Sequence, residues 1–123
     1  MNGSKLFLDT NVIIYFLSGD RTLADLIDCK TIHVSFITQL ELLSYHDISH
    51  EEESRISNFL SDCVITDINA SIKKSVIDLR KVYQLKLPDS IIIASALYLD
   101  LPVVTSDKVF SKIEELETVY YMK

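Results

Sequence analysis

The stretch "KLFLDTNVIIYFL", Lys5–Leu17, is almost wholly apolar, with Asp9, Thr10 and Asn11 in its middle. Lys5–Leu8 reads as a short central strand. Asn11–Leu17 reads as one or two helical turns ended near Ser18-Gly19-Asp20. A carboxylate between two runs that look buried is expensive unless something satisfies its charge, so the partners of Asp9 must come from elsewhere in the chain.

Outward from this stretch, strand and helix signals alternate. Leu23, Leu26 and Ile27 repeat at helical spacing, which predicts a helix over Asp20–Cys29. Thr31–Ser35 is a strand, and Phe36–Tyr45 a helix with Ser35 as its N-cap. Ser49 with Glu52 three residues on forms a capping box, followed by the buried stripe Ile56, Phe59 and Leu60. Cys63–Thr66 is a third strand. Ile72, Val76, Leu79 and Tyr83 lie on one face of a helix between Asn69 and Leu85. Pro88 separates it from a helix over Asp89–Leu99 that is apolar nearly all round and therefore buried on most sides. Val103–Thr105 is a fourth strand, Phe110–Glu114 a helical turn, and "TVYYM" a last, edge strand. This order predicts a parallel sheet with helices on both faces and right-handed crossovers. Such sheets place their sites at the carboxyl ends of the strands.

The chain has 123 residues, 48% of them hydrophobic, enough for one core. With two glycines and two prolines it shows no linker or repeat, so one domain over residues 1–123 is expected. Its formal net charge of −6 weighs against non-specific nucleic-acid binding, which needs a basic surface. An enzyme acting on nucleic acid stays open, because acids gathered around a cation are neutralised locally. Cys29 and Cys63 lack metal-ligand spacing and are expected as free, buried thiols, which suits a reducing cytoplasm. No stretch approaches the roughly 20 apolar residues of a membrane span, and no signal peptide is expected.

Four acids each interrupt an apolar run. Asp9 follows the first strand, and Asp107 follows the fourth just beyond Thr105-Ser106. Glu41 lies within "FITQLELLSYH", and Asp89 within "LKLPDSIIIASA". The runs Glu51-Glu52-Glu53 and Glu114-Glu115 need only solvent. Four converging carboxylates would repel one another, and some would hold protons at neutral pH. Hard divalent cations, Mg²⁺ or Mn²⁺ above all, prefer such oxygen-rich sites. Two such ions activate a water and steady the leaving oxygen of a phosphodiester, so no histidine is needed as general base. His33, His46 and His50 read as ordinary surface or core residues. Three of the acids also have a plainer reading. Asp89 is a potential N-cap, Asp107 a cap of the turn Ser106–Phe110, and Glu41 a solvent-facing residue. Asp9 has no helix-face role to explain it.

The motifs "LDTNVII", "ITQLELLSY" and "LPDSIIIASALYLDLPVVTSDKVF", in this order and spacing, resemble the PIN domain family. Within it they resemble the small ribonucleases of the VapC type, toxins of bacterial type II toxin–antitoxin pairs. The resemblance implies a three-layer α/β/α sandwich with a central, mainly parallel sheet. It implies an endoribonuclease using Mg²⁺ or Mn²⁺, with Asp9, Glu41, Asp89 and Asp107 as catalytic and metal-binding acids and Glu41 acting through water or orienting the attacking water. It further implies an RNA substrate, a cognate antitoxin whose tail blocks the site, a homodimer, a cytoplasmic setting, and no DNA binding without the antitoxin. Many relatives have Asn or Arg at the position of Ser106 and a further acid at that of Val109, so one ion and two ions are both open.

Thr10, Asn11, Thr105 and Ser106 are candidates to steady these ligands by hydrogen bonds. Lys73, Lys74, Arg80 and Lys81, flanking the apolar stripe of their helix, are candidate phosphate contacts, and a solvated face explains them equally. Aromatics do not alternate with these bases, so no stacking platform is evident, and Tyr15, Phe16 and Tyr45 read as core or dimer residues. Two other readings compete. One is a non-catalytic PIN-fold module that binds protein. The other is a phosphoacceptor receiver domain with Asp9 holding Mg²⁺, Asp67 accepting phosphate and Lys108 nearby.

Overall fold

The computed structural model describes residues 4–122. Five parallel strands form one sheet in the order β3-β2-β1-β4-β5. They are β1 (Lys5–Leu8), β2 (Thr31–Ser35), β3 (Val64–Thr66), β4 (Val103–Thr105) and β5 (Thr118–Tyr120). The α-helices are α1 (Thr10–Leu17), α2 (Arg21–Ile27), α3 (Phe36–Leu43), α4 (His50–Ser61), α5 (Ala70–Val82) and α6 (Leu87–Leu99). A 3₁₀ turn over Lys108–Lys112 replaces the helical turn expected at Phe110–Glu114.

The pleat divides the central strands between two cores. Leu6, Leu8, Ile32, Val34 and Val104 pack with Val12, Ile13, Leu23, Leu42, Ile56 and Leu60, which come from α1–α4. Phe7 and Val103 face the other way, onto Ile72, Val76 and Leu79 of α5 and Ile91–Ala94 of α6. The result is the three-layer α/β/α sandwich with a parallel sheet. Phe36 and Ile37 of α3 pack against the second core while its Leu42 enters the first, so α3 touches both.

Local chemistry fixes the element ends. Asp20, Ser35, Ser49 and Asn69 cap α2, α3, α4 and α5 by accepting backbone N–H bonds, and Ser49 and Glu52 complete the capping box. Helix α6 begins earlier than the sequence suggests, because Pro88 sits inside its first turn, where its missing N–H costs nothing. The break between α5 and α6 therefore falls at Tyr83–Lys86. Asp89 is the third helical residue, not the N-cap, a place held by Lys86. Asp100 closes α6 in the left-handed conformation, at φ +56°, and Leu101 N–H donates to Ala96 O to turn the chain into β4.

The cysteines depart from expectation. Cys29 is exposed, in a left-handed turn at φ +60°. Cys63 is half-buried, its Sγ donating to Phe59 O at 3.3 Å, and burial pushes its thiol up to about 11. No helix among the described residues is long and apolar enough to cross a membrane.

Candidate active site

Strand β1 is followed in sequence by β2 on one side, while β4 leads to β5 on the other. The crevice between the carboxyl ends of β1 and β4 is thus the topological switch point of the sheet, where open α/β sheets bind ligands. A cleft of about 390 Å³ opens there, lined by Asp9, Thr10, Asn11, Glu41, Asp89 and Asp107 together with Ser44, Tyr45, His46 and Ile92. All four acids singled out by sequence meet in it.

Asp9 is only 5% exposed. It is the N-cap of α1, which starts at Thr10, so although it has no helix-face role it does hold a helix end. Its Oδ1 accepts from Thr10 N–H at 2.7 Å and its Oδ2 from the Thr105 hydroxyl at 2.8 Å. These bonds lower its pKa, but burial raises it more, and Asp89 and Asp107 add to the rise, so the carboxyl is pushed up to about 6. Asp89, in the first turn of α6, is also raised, first by burial, then by Asp107, with Glu41 adding a smaller push and Lys86 opposing. Asp107 caps the 3₁₀ turn, its Oδ1 accepting from Val109 N–H at 3.0 Å. The Thr105 hydroxyl oxygen accepts from Asp107 N–H at 3.0 Å while donating to Asp9, so one threonine ties the two strand-end acids together.

Glu41 projects from α3, and its Oε1 accepts from the Thr10 hydroxyl at 2.9 Å. Thr10 Oγ1 also lies 3.0 Å from Thr38 Oγ1. Thr38 was not legible as a site residue, because in sequence it is one small residue in an apolar helix. Tyr45, expected in the core or at a dimer surface, lies beyond the end of α3, is 47% exposed, and stands at the rim of the cleft beside Glu41. His46 also lines the cleft, whereas His33 lies within β2 and His50 begins α4. Asn11 is exposed at the rim, and Ser106 is not among the lining residues.

Lys73, Lys74, Arg80 and Lys81 are exposed on α5, and none lines the cleft. Lys74 pairs with Asp78 at 3.4 Å, and Arg80 Nε donates to Leu85 O at 3.2 Å. A second groove of about 430 Å³ shares Tyr45 and His46 with the cleft and is floored by Ile14, Leu17, Leu42, Ile48 and Ile56.

The donors in the cleft are carboxylate and hydroxyl oxygens, the chemistry that suits a hard divalent cation. As the side chains stand, no group of three or more His, Cys, Asp or Glu among the described residues is arranged to hold one metal ion. The receiver reading fails on this geometry. That fold orders its strands 2-1-3-4-5, whereas β3 here is an edge strand. Asp67, just after it, is exposed, and its Oδ1 accepts from Ile68 N–H away from the cleft.

The sequence pattern of the PIN domain matches residues 6–116. The fold superposes on a chain of a toxin–antitoxin complex from Klebsiella pneumoniae with a TM-score of 0.83 at 30% identity, covering 96% of this chain and 99% of that one. It also superposes on chains of VapBC2 from Rickettsia felis, bound to a promoter DNA fragment (TM-score 0.85, 21% identity, 95% and 98% covered), and of VapBC-1 from nontypeable Haemophilus influenzae (0.81, 22%, 94% and 97%). No curated protein matches the chain. With the family pattern running from β1 to the residues just before β5, this chain belongs to the PIN domain family.

Proposed function

We propose that the chain is a divalent-cation-dependent endoribonuclease of the VapC type, the toxin of a toxin–antitoxin pair acting in the cytoplasm. The observation that carries this reading is the meeting of four carboxylates from four separate segments in one cleft at the switch point. Asp9 is so deeply buried there that its charge goes under-compensated. Asp9, Asp89 and Asp107 would hold Mg²⁺ or Mn²⁺, with Glu41 contributing through water. Held there, the ion would supply charge neutralisation at the phosphate and a more acidic water.

The rest is the work of the chain. Thr105 and Thr10 N–H fix both oxygens of Asp9, and Thr105 also holds the backbone of Asp107. Thr10 occupies Oε1 of Glu41, which leaves Oε2 to orient the attacking water and take its proton. The α5 cations lie outside the cleft, so any phosphate they contact is remote from the scissile one. The apolar groove beside the cleft fits a hydrophobic segment of an antitoxin, whose neighbouring residues would then reach the acids. The toxin–antitoxin complexes among the structural relatives support that partner. A homodimer is part of the same proposal and is checked by sedimentation.

The test is Mn²⁺ titration by calorimetry at neutral pH. Wild type and Asp67→Asn are expected to bind, and Asp89→Asn to lose binding, after which RNA cleavage is screened. A folded wild type that takes up no Mn²⁺ and cuts no RNA would favour a non-catalytic, protein-binding member of the family.

A further inference from the structure

We propose that Thr38 is a positioning residue for the acid cleft, its hydroxyl proton directing that of Thr10 onto Glu41. Thr38 is fully buried on α3, one turn before Glu41 and on the same face. Thr10 Oγ1 contacts both Thr38 Oγ1, at 3.0 Å, and Glu41 Oε1, at 2.9 Å. In its bond to Glu41 the Thr10 hydroxyl is the donor, and a threonine hydroxyl has one proton and two lone pairs. The Thr10 proton is therefore committed to Glu41, and its contact with Thr38 is a hydrogen bond only if Thr38 donates. The chain runs one way, from Thr38 to Thr10 to Glu41.

The same Thr10 donates its backbone N–H to Asp9. It thereby links the carboxylate at the end of β1 to the carboxylate on α3, and Thr38 keeps its hydroxyl pointing at the second. Without that donor, Thr10 Oγ1 carries an unfilled acceptor in a part-buried setting and is free to take another rotamer. Glu41 then loses its fixed orientation while every apolar contact around Thr38 persists. Valine at position 38 fills the same volume, so a purely packing role for Thr38 predicts no change at the cleft.

The functional consequence rests on the metal-site reading above, and the experiment separates the two. In the metal-free protein, three-bond couplings at Thr10 report its χ1 rotamer. A single rotamer is expected in wild type and Thr38→Ser, and averaging in Thr38→Val. In calorimetry, Thr38→Val is expected to bind Mn²⁺ about 10-fold more weakly, the scale on which outer hydrogen-bond partners act on metal sites. Thr38→Ser should return it to the wild-type value. In a Glu41→Ala background the Thr38→Val change should have no further effect, because the Thr10 hydroxyl then has no side-chain oxygen at position 41 to donate to. A folded Thr38→Val that keeps one Thr10 rotamer and the wild-type affinity overturns the proposal. If wild type binds no Mn²⁺, the metal reading falls, and the rotamer comparison still decides the role of Thr38. Thr38→Cys, which keeps the volume with a weaker donor, carries the same comparison if the valine variant does not fold.

Discussion

Replacing Asp9 by asparagine separates the cost of its charge from the hydrogen bonds it accepts. A carboxyl titrating near 6 in the folded chain and at its ordinary 3.8 when exposed binds its proton more tightly folded than unfolded. Stability therefore falls as pH rises from about 4 to about 6, and at neutral pH the deficit is complete, on the order of 3 kcal/mol. Asparagine removes it but cannot accept from both Thr10 N–H and the Thr105 hydroxyl, a loss of about 1 kcal/mol. Asp9→Asn should thus stabilise the metal-free protein at pH 7 by about 1–2 kcal/mol, and be neutral or destabilising at pH 4. Urea unfolding at the two pH values decides it, and no gain at pH 7 would mean that the charge is already compensated. His33 offers a second case. Both its ring nitrogens are buried without a partner among the described residues, and burial, with Lys5 nearby, holds its pKa below the ordinary 6.5. A lowered histidine pKa means stability is lost as pH falls below 6.5, where the unfolded chain takes up the proton more readily. His33→Leu should add about 1 kcal/mol at pH 7 and flatten that acid limb. At this scale the acids were legible, because a carboxylate that breaks an apolar run needs a reason. Thr38 and Tyr45 were not: one looks like core, the other like any aromatic, and only the crossing of α1, α3 and the loop after α3 gives them a role.

Helix α6 shows what an element contributes beyond its own propensity. Ser90 to Ala96 are all buried, and its two buried serines are satisfied within the helix, Ser90 donating to Leu87 O and Ser95 to Ile91 O, each at 2.7 Å. The helix therefore shares its core with Phe7 of β1 and Val103 of β4, with no orphaned side-chain polar atom of its own among the described residues, and its first turn carries Asp89 into the cleft. Ile93, fully buried, should cost about 3 kcal/mol when cut to alanine, and should weaken Mn²⁺ binding only as far as the fold itself is lost. Ser49→Ala at the exposed capping box of α4 should cost about 1 kcal/mol and leave Mn²⁺ binding untouched. Thermal unfolding paired with calorimetry distinguishes the two. Equal losses would mean that α6 is not the element on which the core depends. Elements were the most legible scale, since the 3.6-residue stripes and the capping box are local signals. Their ends were less so. Pro88 marks a boundary in sequence, yet it belongs to the first turn of α6, because a proline there gives up an N–H that had no partner anyway.

Across the whole molecule, the strand order turns local acids into one site. No sequence signal specifies that β4 lies beside β1 with β3 at the far edge, because pairing between distant strands is settled by packing of the two cores. The parallel sheet was legible from alternation, whereas the neighbour relation that brings Asp9 to Asp107 was not. That arrangement concentrates negative charge at the junction of β1, α3, α6 and the turn after β4, so those four segments repel one another in the absence of a cation. A cation that neutralises the cleft in the folded chain but has no assembled site in the unfolded one must raise folding stability. At a free Mn²⁺ concentration 100 times Kd the gain is about 2.7 kcal/mol. For a chain of this size that corresponds to a rise in Tm of roughly 10 °C. Chelation should reverse the rise. Asp89→Asn should abolish it while leaving the metal-free protein as stable as wild type or more so, since the substitution removes one of the repelling charges. Differential scanning calorimetry with and without Mn²⁺ measures both effects. A metal-dependent rise that survives in Asp89→Asn would place the ion elsewhere on the molecule and remove the main support for a hydrolytic centre at this end of the sheet.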